Sequence, residues 1–318
     1  MRRAIPLAVL VLAWVMAPPA WGQFKKRTED PKGPQVAQSQ VQRWQFGMTV
    51  SAAEGPCKGL VGYVPVPLDW PEQQAAPAQE EFSPSVKVRF QMVEGTVRLM
   101  VIDIPHLPAG EQAKALLTFD ICKYSLVPPK DTGILAIAGS KKLPRDIKPY
   151  LAPSPLIEAR NPKIRAAWRE ATGGKQGAWE KVEAIHDWVR EKFEFQRGPA
   201  KGAVAALRDG HGDAEDLVSL FIALCRAGDV PARTVWVPGH CYAEFYLVDD
   251  EGKGHWFPCE LTGNRSFGGI SDPRPVIEKG DSFRAPFNPR QTQRFLAEHL
   301  EGAGGQPKVR FVRQPSAQ

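Results

Sequence analysis

The chain is 318 residues long, 43% hydrophobic and 24% charged, with a formal net charge of +6. That length exceeds one ordinary domain and that composition can fill packed cores, which excludes a disordered or fibrous chain. The positive excess is modest and no run of Lys and Arg is interleaved with aromatics, so no nucleic-acid partner is expected.

Arg2 and Arg3 precede an apolar stretch over residues 4–16 that is too short to span a bilayer comfortably. Ala20-Trp21-Gly22 then supplies small residues where a signal peptidase reads, so residues 1–22 are expected to be a signal peptide, cut before Gln23. An uncleaved anchor is the alternative. No later apolar stretch is long enough to cross a membrane. The mature chain is therefore expected to be exported, periplasmic or secreted, with no membrane span.

Residues 23–40 are polar and lack an apolar period, as in a flexible lead-in. Residues 41–142 hold short β-like runs, including 44–50, 86–90, 97–104 and 115–119, separated by turn clusters such as His106-Leu107-Pro108-Ala109-Gly110. That spacing predicts a β-sandwich-like domain. Residues 143–161 are rich in Pro and polar side chains and form a connector. Asn161-Pro162 then reads as the cap and first residue of a helix reaching about Thr172. After the Gly173–Gly177 break, Trp179, Val182, Ile185, Val189 and Phe193 recur at three- and four-residue spacing, the stripe of an amphipathic helix. Leu217, Val218, Phe221, Leu224 and Cys225 mark another. Residues 286–318 are read as a tail, with a short helical patch over 292–300 before Gly- and Pro-rich sequence that frays.

Five cysteines in an exported chain raise the question of disulfides. Cys57 and Cys122 lie in the β-rich half and could bridge it. Cys241 and Cys259 lie on two strands expected to pair antiparallel around the polar run 249–254. A turn centred on Asp250 sets His240 opposite Glu260, Cys241 opposite Cys259 and Phe245 opposite His255. The two cysteines then meet on the face away from His240 and Glu260, either bridged or packed as thiols. Cys225 reads as an unpaired core residue.

The most informative run is Gly210-His211-Gly212-Asp213-Ala214-Glu215-Asp216, followed by the helix to Arg226 and by Val230-Pro231-Ala232-Arg233. His240-Cys241-Tyr242-Ala243-Glu244-Phe245 and Trp256-Phe257-Pro258-Cys259-Glu260 complete the pattern, and Phe267-Gly268 adds to it. This order resembles the transglutaminase-like superfamily, whose members present a Cys at a helix start, a His on a strand and an Asp on the next strand. The resemblance covers about residues 178–269. It implies an α+β fold, with the sandwich followed by a transglutaminase-like domain of the papain-like cysteine protease superfold over residues 162–285.

By that resemblance Ala214 stands at the nucleophile position, His240 at that of the His and Glu260 at that of the Asp. In the family the helix terminus favours thiolate, the His takes its proton, and the carboxylate holds the imidazole tautomer. A methyl group cannot attack a carbonyl, so the acyl-enzyme route is closed at Ala214. Asp213 and Asp216 are expected to cap the helix, and Trp236 and Trp256 to flank the cleft with them, although core packing explains the tryptophans equally well. His211 and His255 read as surface loop residues. No H-E-x-x-H or paired C-x-x-C spacing supports a metal, and no cofactor is expected.

The functional expectation is an exported, catalytically inactive transglutaminase-like protein. Its degenerate cleft would hold a peptide, a protein segment or a cell-envelope component. An active amide hydrolase or acyltransferase with a displaced nucleophile is the alternative, and a purely structural envelope role is a third.

Overall fold

Along residues 44–50 the side chains of Trp44, Phe46, Met48 and Val50 alternate with Gln45, Gly47 and Thr49, a period of two that puts the first set on one face of a strand. The structure, a computed structural model, describes residues 24–25 and 30–316. The expected signal peptide lies outside the described residues. The strand is β1 (Gln35–Ser51), followed by β2 (Cys57–Val66), β3 (Gln73–Phe82), β4 (Lys87–Val93), β5 (Val97–Leu107) and β6 (Gln112–Val127). Strand β1 begins inside the segment expected to be a flexible lead-in, because its backbone finds partners on β6 from Gln35 onward. Two antiparallel sheets share a core in which Phe46, Leu117 and Phe119 of one meet Leu60, Met100 and Ile102 of the other. Each such side chain contributes about 1.5–3 kcal/mol through burial.

The second unit starts where Asn161 accepts a hydrogen bond from the Lys163 amide (2.9 Å) and Pro162 opens α1 (Pro162–Ala171). Next come α2 (Ala178–Lys192), β7 (Glu194–Phe195), α3 (Ala203–Asp209), β8 (His211–Gly212) and α4 (Ala214–Ala227). Strands β9 (Ala232–Val237), β10 (His240–Val248), β11 (Gly254–Glu260), β12 (Ser266–Phe267) and β13 (Glu278–Lys279) form one sheet in the order β12-β11-β10-β9-β13. Helix α4 is buried from Asp216 to Arg226, and its Phe221 and Leu224 share a core with Phe245 and Phe257. The α2 stripe carries Trp179 into that core, edge-on to Phe257 at 5.2 Å and to Phe267 at 4.9 Å.

Beyond β13 the chain forms β14 (Phe283–Arg284), β15 (Thr292–Gln293), β16 (His299–Gly304) and β17 (Lys308–Pro315). The expected helical patch and fraying tail are therefore absent. Residues 292–300 are too few to hold a helix alone, while β1 and β2 offer unpaired edges. Strand β17 takes the first and β16 the second, so the sandwich sheets run β17-β1-β6-β3 and β16-β2-β5-β4.

The β10–β11 register also differs from the expected one. Ala243, not Cys241, faces Cys259, and Leu247 faces His255. The cause is Asp249, whose carboxylate accepts hydrogen bonds from the amides of Glu251 (3.0 Å) and Lys253 (2.9 Å) and centres the turn one residue later. Cys241 and Cys259 keep a common face but become diagonal neighbours roughly 7 Å apart, too far for a bridge. Cys57 and Cys122 are separated further. Leu107 pairs with Cys57 just before β6 starts, and Cys122 lies ten residues into β6, on the order of 30 Å away. All five cysteines are free and buried, so none of the expected disulfides forms.

Arg226, near the end of α4, ties the units together. Its guanidinium donates to the carbonyls of Ala152 (2.8 Å) and Ala232 (2.6 Å) and to both oxygens of Asp281 (2.7 and 3.0 Å). The ion pair is almost wholly buried, with side-chain exposures of 0% and 2%. Arg226→Met should cost about 3–5 kcal/mol in denaturant unfolding, because it leaves Asp281 charged and unpaired. Arg226→Lys should rescue little, since a compact ammonium cannot reproduce the fork that reaches two carbonyls and both Asp281 oxygens. An unchanged unfolding midpoint in Arg226→Met would remove the pair from this role. In a second measurement, an aromatic disulfide reagent should find no reactive thiol in the folded protein and five after unfolding without reductant; fewer than five would reveal a bridge.

Candidate functional site

Helix α4 begins with a reciprocal cap. Asp213 Oδ1 accepts the Asp216 amide (2.9 Å), and Asp216 Oδ2 accepts the Asp213 amide (3.2 Å). This arrangement satisfies two of the free N–H groups of the first turn. The other Asp216 oxygen accepts the amides of Lys201 (2.7 Å) and Gly202 (2.8 Å), fixing the loop before α3. Gly212 is required beside it, because a Cβ there would lie 2.6 Å from Asp216 Cβ. Ala214 is the first helical residue, with its methyl on the wall of a cavity. Burial raises the carboxyls of Asp213 and Glu215 above their ordinary values.

Across the cavity the hairpin Pro238-Gly239, with Gly239 at φ +70°, turns β9 into β10 and pairs His240 with Val237. His240 Nε2 lies 2.8 Å from Glu260 Oε2. A carboxylate only accepts, so Nε2 carries the proton and Nδ1 is left as the basic nitrogen. Glu260 is fixed in turn, since its Oε1 accepts the amide (3.1 Å) and hydroxyl (3.0 Å) of Thr262. Its backbone carbonyl is held by His186 Nε2 at 2.8 Å and by Arg190 at 3.3 Å, both from α2. Burial lowers the His186 imidazole below its usual value, while its Nδ1 lies 3.0 Å from Asp187 Oδ1.

The cavity between these groups is about 540 Å³, lined by Asp213, Ala214, Glu215, Trp236, His240, Cys241 and Glu278. Phe195 and Phe295, 49% and 42% exposed, stand on its rim with Arg197 and Arg313. Trp236 is pinned by its indole N–H on the Gly280 carbonyl (2.8 Å), with its ring 5.2 Å from Phe295. Cys241, expected to point away from the site, reaches the cavity from the α4 side of the sheet. It is fully buried, and burial drives its thiol well above the ordinary range. Cys259 is likewise buried and raised, and it does not line this cavity.

Trp256, expected to flank the cleft or to pack in a core, does not line this cavity. It lines a separate cavity of about 940 Å³ between the sandwich and the far face of the sheet, with the Arg233 guanidinium 4.0 Å from its ring centre. Four of the charges there pair with one another. Lys279 sits between Glu72 and Glu244, and Arg233 pairs with Glu244 at 3.0 Å. His255 is buried rather than exposed, its Nε2 3.0 Å from Asp249. His211 approaches Lys201 at 3.3 Å and joins neither His240 nor Glu260. Among the described residues no cluster of three His, Cys, Asp or Glu is arranged to hold a metal.

Sequence reasoning missed His186, Glu278, Phe295 and Arg313. His186 follows Val182 by four residues on the α2 stripe, a polar side chain on a buried face, and that signal was available. Glu278 and Arg313 reach the cavity through the β13–β9 and β17–β1 pairings, and Phe295 from the stretch between β15 and β16, none of which a local pattern announces.

Residues 165–261 match the transglutaminase-like superfamily. In fold, the chain is similar to a proposed cysteine protease of Cytophaga hutchinsonii, with a TM-score of 0.57 and 18% identity over 90% of this chain and 93% of that one. A proposed protease of Parabacteroides distasonis shares 15% identity over 70% of this chain and 47% of its own, with a TM-score of 0.27. No curated protein is significantly similar in sequence. Residues 165–261 thus form a transglutaminase-like domain, carried in an α+β chain whose antiparallel β-sheets draw strands from both ends.

Proposed function

We propose that the cavity beside Ala214 is a non-catalytic binding cleft for a peptide or an amide-bearing cell-envelope component, in a protein exported to the periplasm or beyond. The observation that carries this reading is Ala214 itself, a methyl at the capped start of α4 and on the same cavity as the intact His240–Glu260 pair. In this reading Ala214, His240 and Glu260 occupy the positions of the family's Cys, His and Asp. The base and its orienting carboxylate are kept, and the group they would activate is missing. The aromatic walls of Trp236, Phe195 and Phe295 supply contact area with few rotors to freeze.

Cys241 favours a second reading, an active acyltransferase or amide hydrolase, because it touches the cavity. Its complete burial and raised thiol argue against a thiolate there. The test compares native protein, Ala214→Cys, Ala214→Cys/His240→Ala and Cys241→Ala, using thioester and amide acyl donors with an amine acceptor. Native protein should show no turnover and Ala214→Cys should gain it. Loss of His240 should then remove about 10²–10⁴-fold of that gain. Native turnover that disappears in Cys241→Ala would establish the second reading instead. Silence from every variant, together with no binding of amide peptides, would remove the cleft from function.

A further inference from the structure

Glu278 is a carboxyl group on the cavity with no ion-pair partner among the described residues. It sits on β13 opposite Trp236, is 2% exposed, and lines the cavity with Ala214 and His240. Its Oε2 accepts one hydrogen bond, from the Leu296 amide at 2.9 Å. Arg313 on β17, which also lines the cavity, pairs with Glu298 at 2.5 Å and leaves its Nε without a partner, and no ion pair forms with Glu278 among the described residues. The remaining charged groups on the cavity are Asp213 and Glu215 from α4, His240 from β10 and Arg197 from the loop after β7. Arg294 stands behind them, 3.7 Å from Glu215. None of these cations pairs with Glu278.

A carboxylate buried without a cation or a set of donors is expensive, and the group takes a proton instead. A protonated carboxyl is a strong donor, whereas a carboxylate can only accept. A donor on the wall of a cleft selects a ligand that offers an acceptor, and the neutral acceptor of a peptide or amide is its carbonyl oxygen. Lys279, the next residue, points to the opposite side of the sheet and is neutralised there by Glu72 and Glu244, so it does not compete.

We propose that Glu278 is a specificity-determining residue of the cleft, a neutral acid that donates a hydrogen bond to the carbonyl oxygen of a bound amide. The inference rests on the binding-cleft reading above. It lies outside the stretch that matches the superfamily, which ends at residue 261. Burial pushes the Glu278 carboxyl up to about 8, which sets the window for the test. Below that pH the donor is present; above it the group ionises, and its charge meets the carbonyl dipole with the wrong sign.

The experiment has a ligand-free arm and a ligand arm, each comparing native protein with Glu278→Gln. In the first, the unfolding midpoint is followed from pH 4.5 to 8. A carboxyl raised in the folded state holds a proton that the unfolded chain releases, so native stability should fall across this window relative to Glu278→Gln. Parallel profiles would mean that Glu278 is ionised and would overturn the proposal. In the second arm, binding of the neutral peptide N-acetyl-Gly-Gln-Gly-amide is measured by calorimetry from pH 6 to 9.5. Native affinity should fall toward tenfold per pH unit above about 8, and Glu278→Gln, which keeps an N–H donor, should hold its affinity throughout. Glu278→Leu should bind at least about tenfold more weakly at pH 7. Binding that ignores pH, or a fall that persists in Glu278→Gln, overturns the role of Glu278 and leaves the cleft reading standing. No binding of the peptide at any pH overturns both.

Discussion

A single guanidinium, that of Arg226, holds together segments that would otherwise have no reason to share a geometry. It sits at the last turn of α4, where a cation is favoured by the helix dipole, and reaches the connector, the start of β9 and Asp281 at once. The connector leads back to the sandwich and β9 leads to the His240 hairpin. Asp281 follows directly on β13, the strand that carries Glu278. The position of α4 relative to each of these is thus set from one end by a buried charge whose donors are all used. At its other end, the Asp213–Asp216 cap sets Ala214 on the cavity wall.

Between the two units a second set of buried charges plays a different part. Glu72 comes from the turn before β3, Lys279 from β13, and Glu244 and Arg233 from the hairpin of β10 and β9. Burial by itself would raise the Glu72 carboxyl, but the neighbouring Lys279 and Lys123 carry it down to about 2. Such a network is a weak source of net stability, and its members suffer badly if one is removed. Its effect is to fix which face of the sandwich meets which face of the sheet. The four charges of this network that line the large cavity are paired with one another, in contrast to the carboxyl of Glu278, which has no ion pair among the described residues.

Much of this could be read from the residues. The alternation over 44–50, the Asn161-Pro162 helix start and the Trp179-to-Phe193 stripe are local patterns, and the local pattern decided the structure. His240 and Glu260 also meet, although by a diagonal contact rather than a direct pairing. The register slipped because the Asp249 side chain, not the polarity of the run, chose the centre of the turn. Trp256 was misplaced because it lies four residues along β11 from Glu260, on the order of 13 Å away, beside Tyr246 and Arg233. The tail was misread because a strand closing a distant sheet edge carries no signal of its partner; Val312 is buried only because β1 is there. Glu278 was invisible for the same reason, since only the β13–β9 pairing reveals it as a cavity residue.

The strands β16 and β17 give the molecule an unusual order of assembly. A ribosome delivers β1 through β6 first, yet each sandwich sheet still lacks a strand when the helical domain is finished. The last pairings join residues 51 and 308, and 57 and 304, across almost the whole chain. Contacts of such long sequence separation form late, because the loop between them must be closed before they return any free energy. The first domain to be made thus depends on the last strands made, and until β16 and β17 pair, the edges of β1 and β2 stay open to other strands. The sandwich is a clasp, shut around the cleft domain by strands from the far end of the sequence.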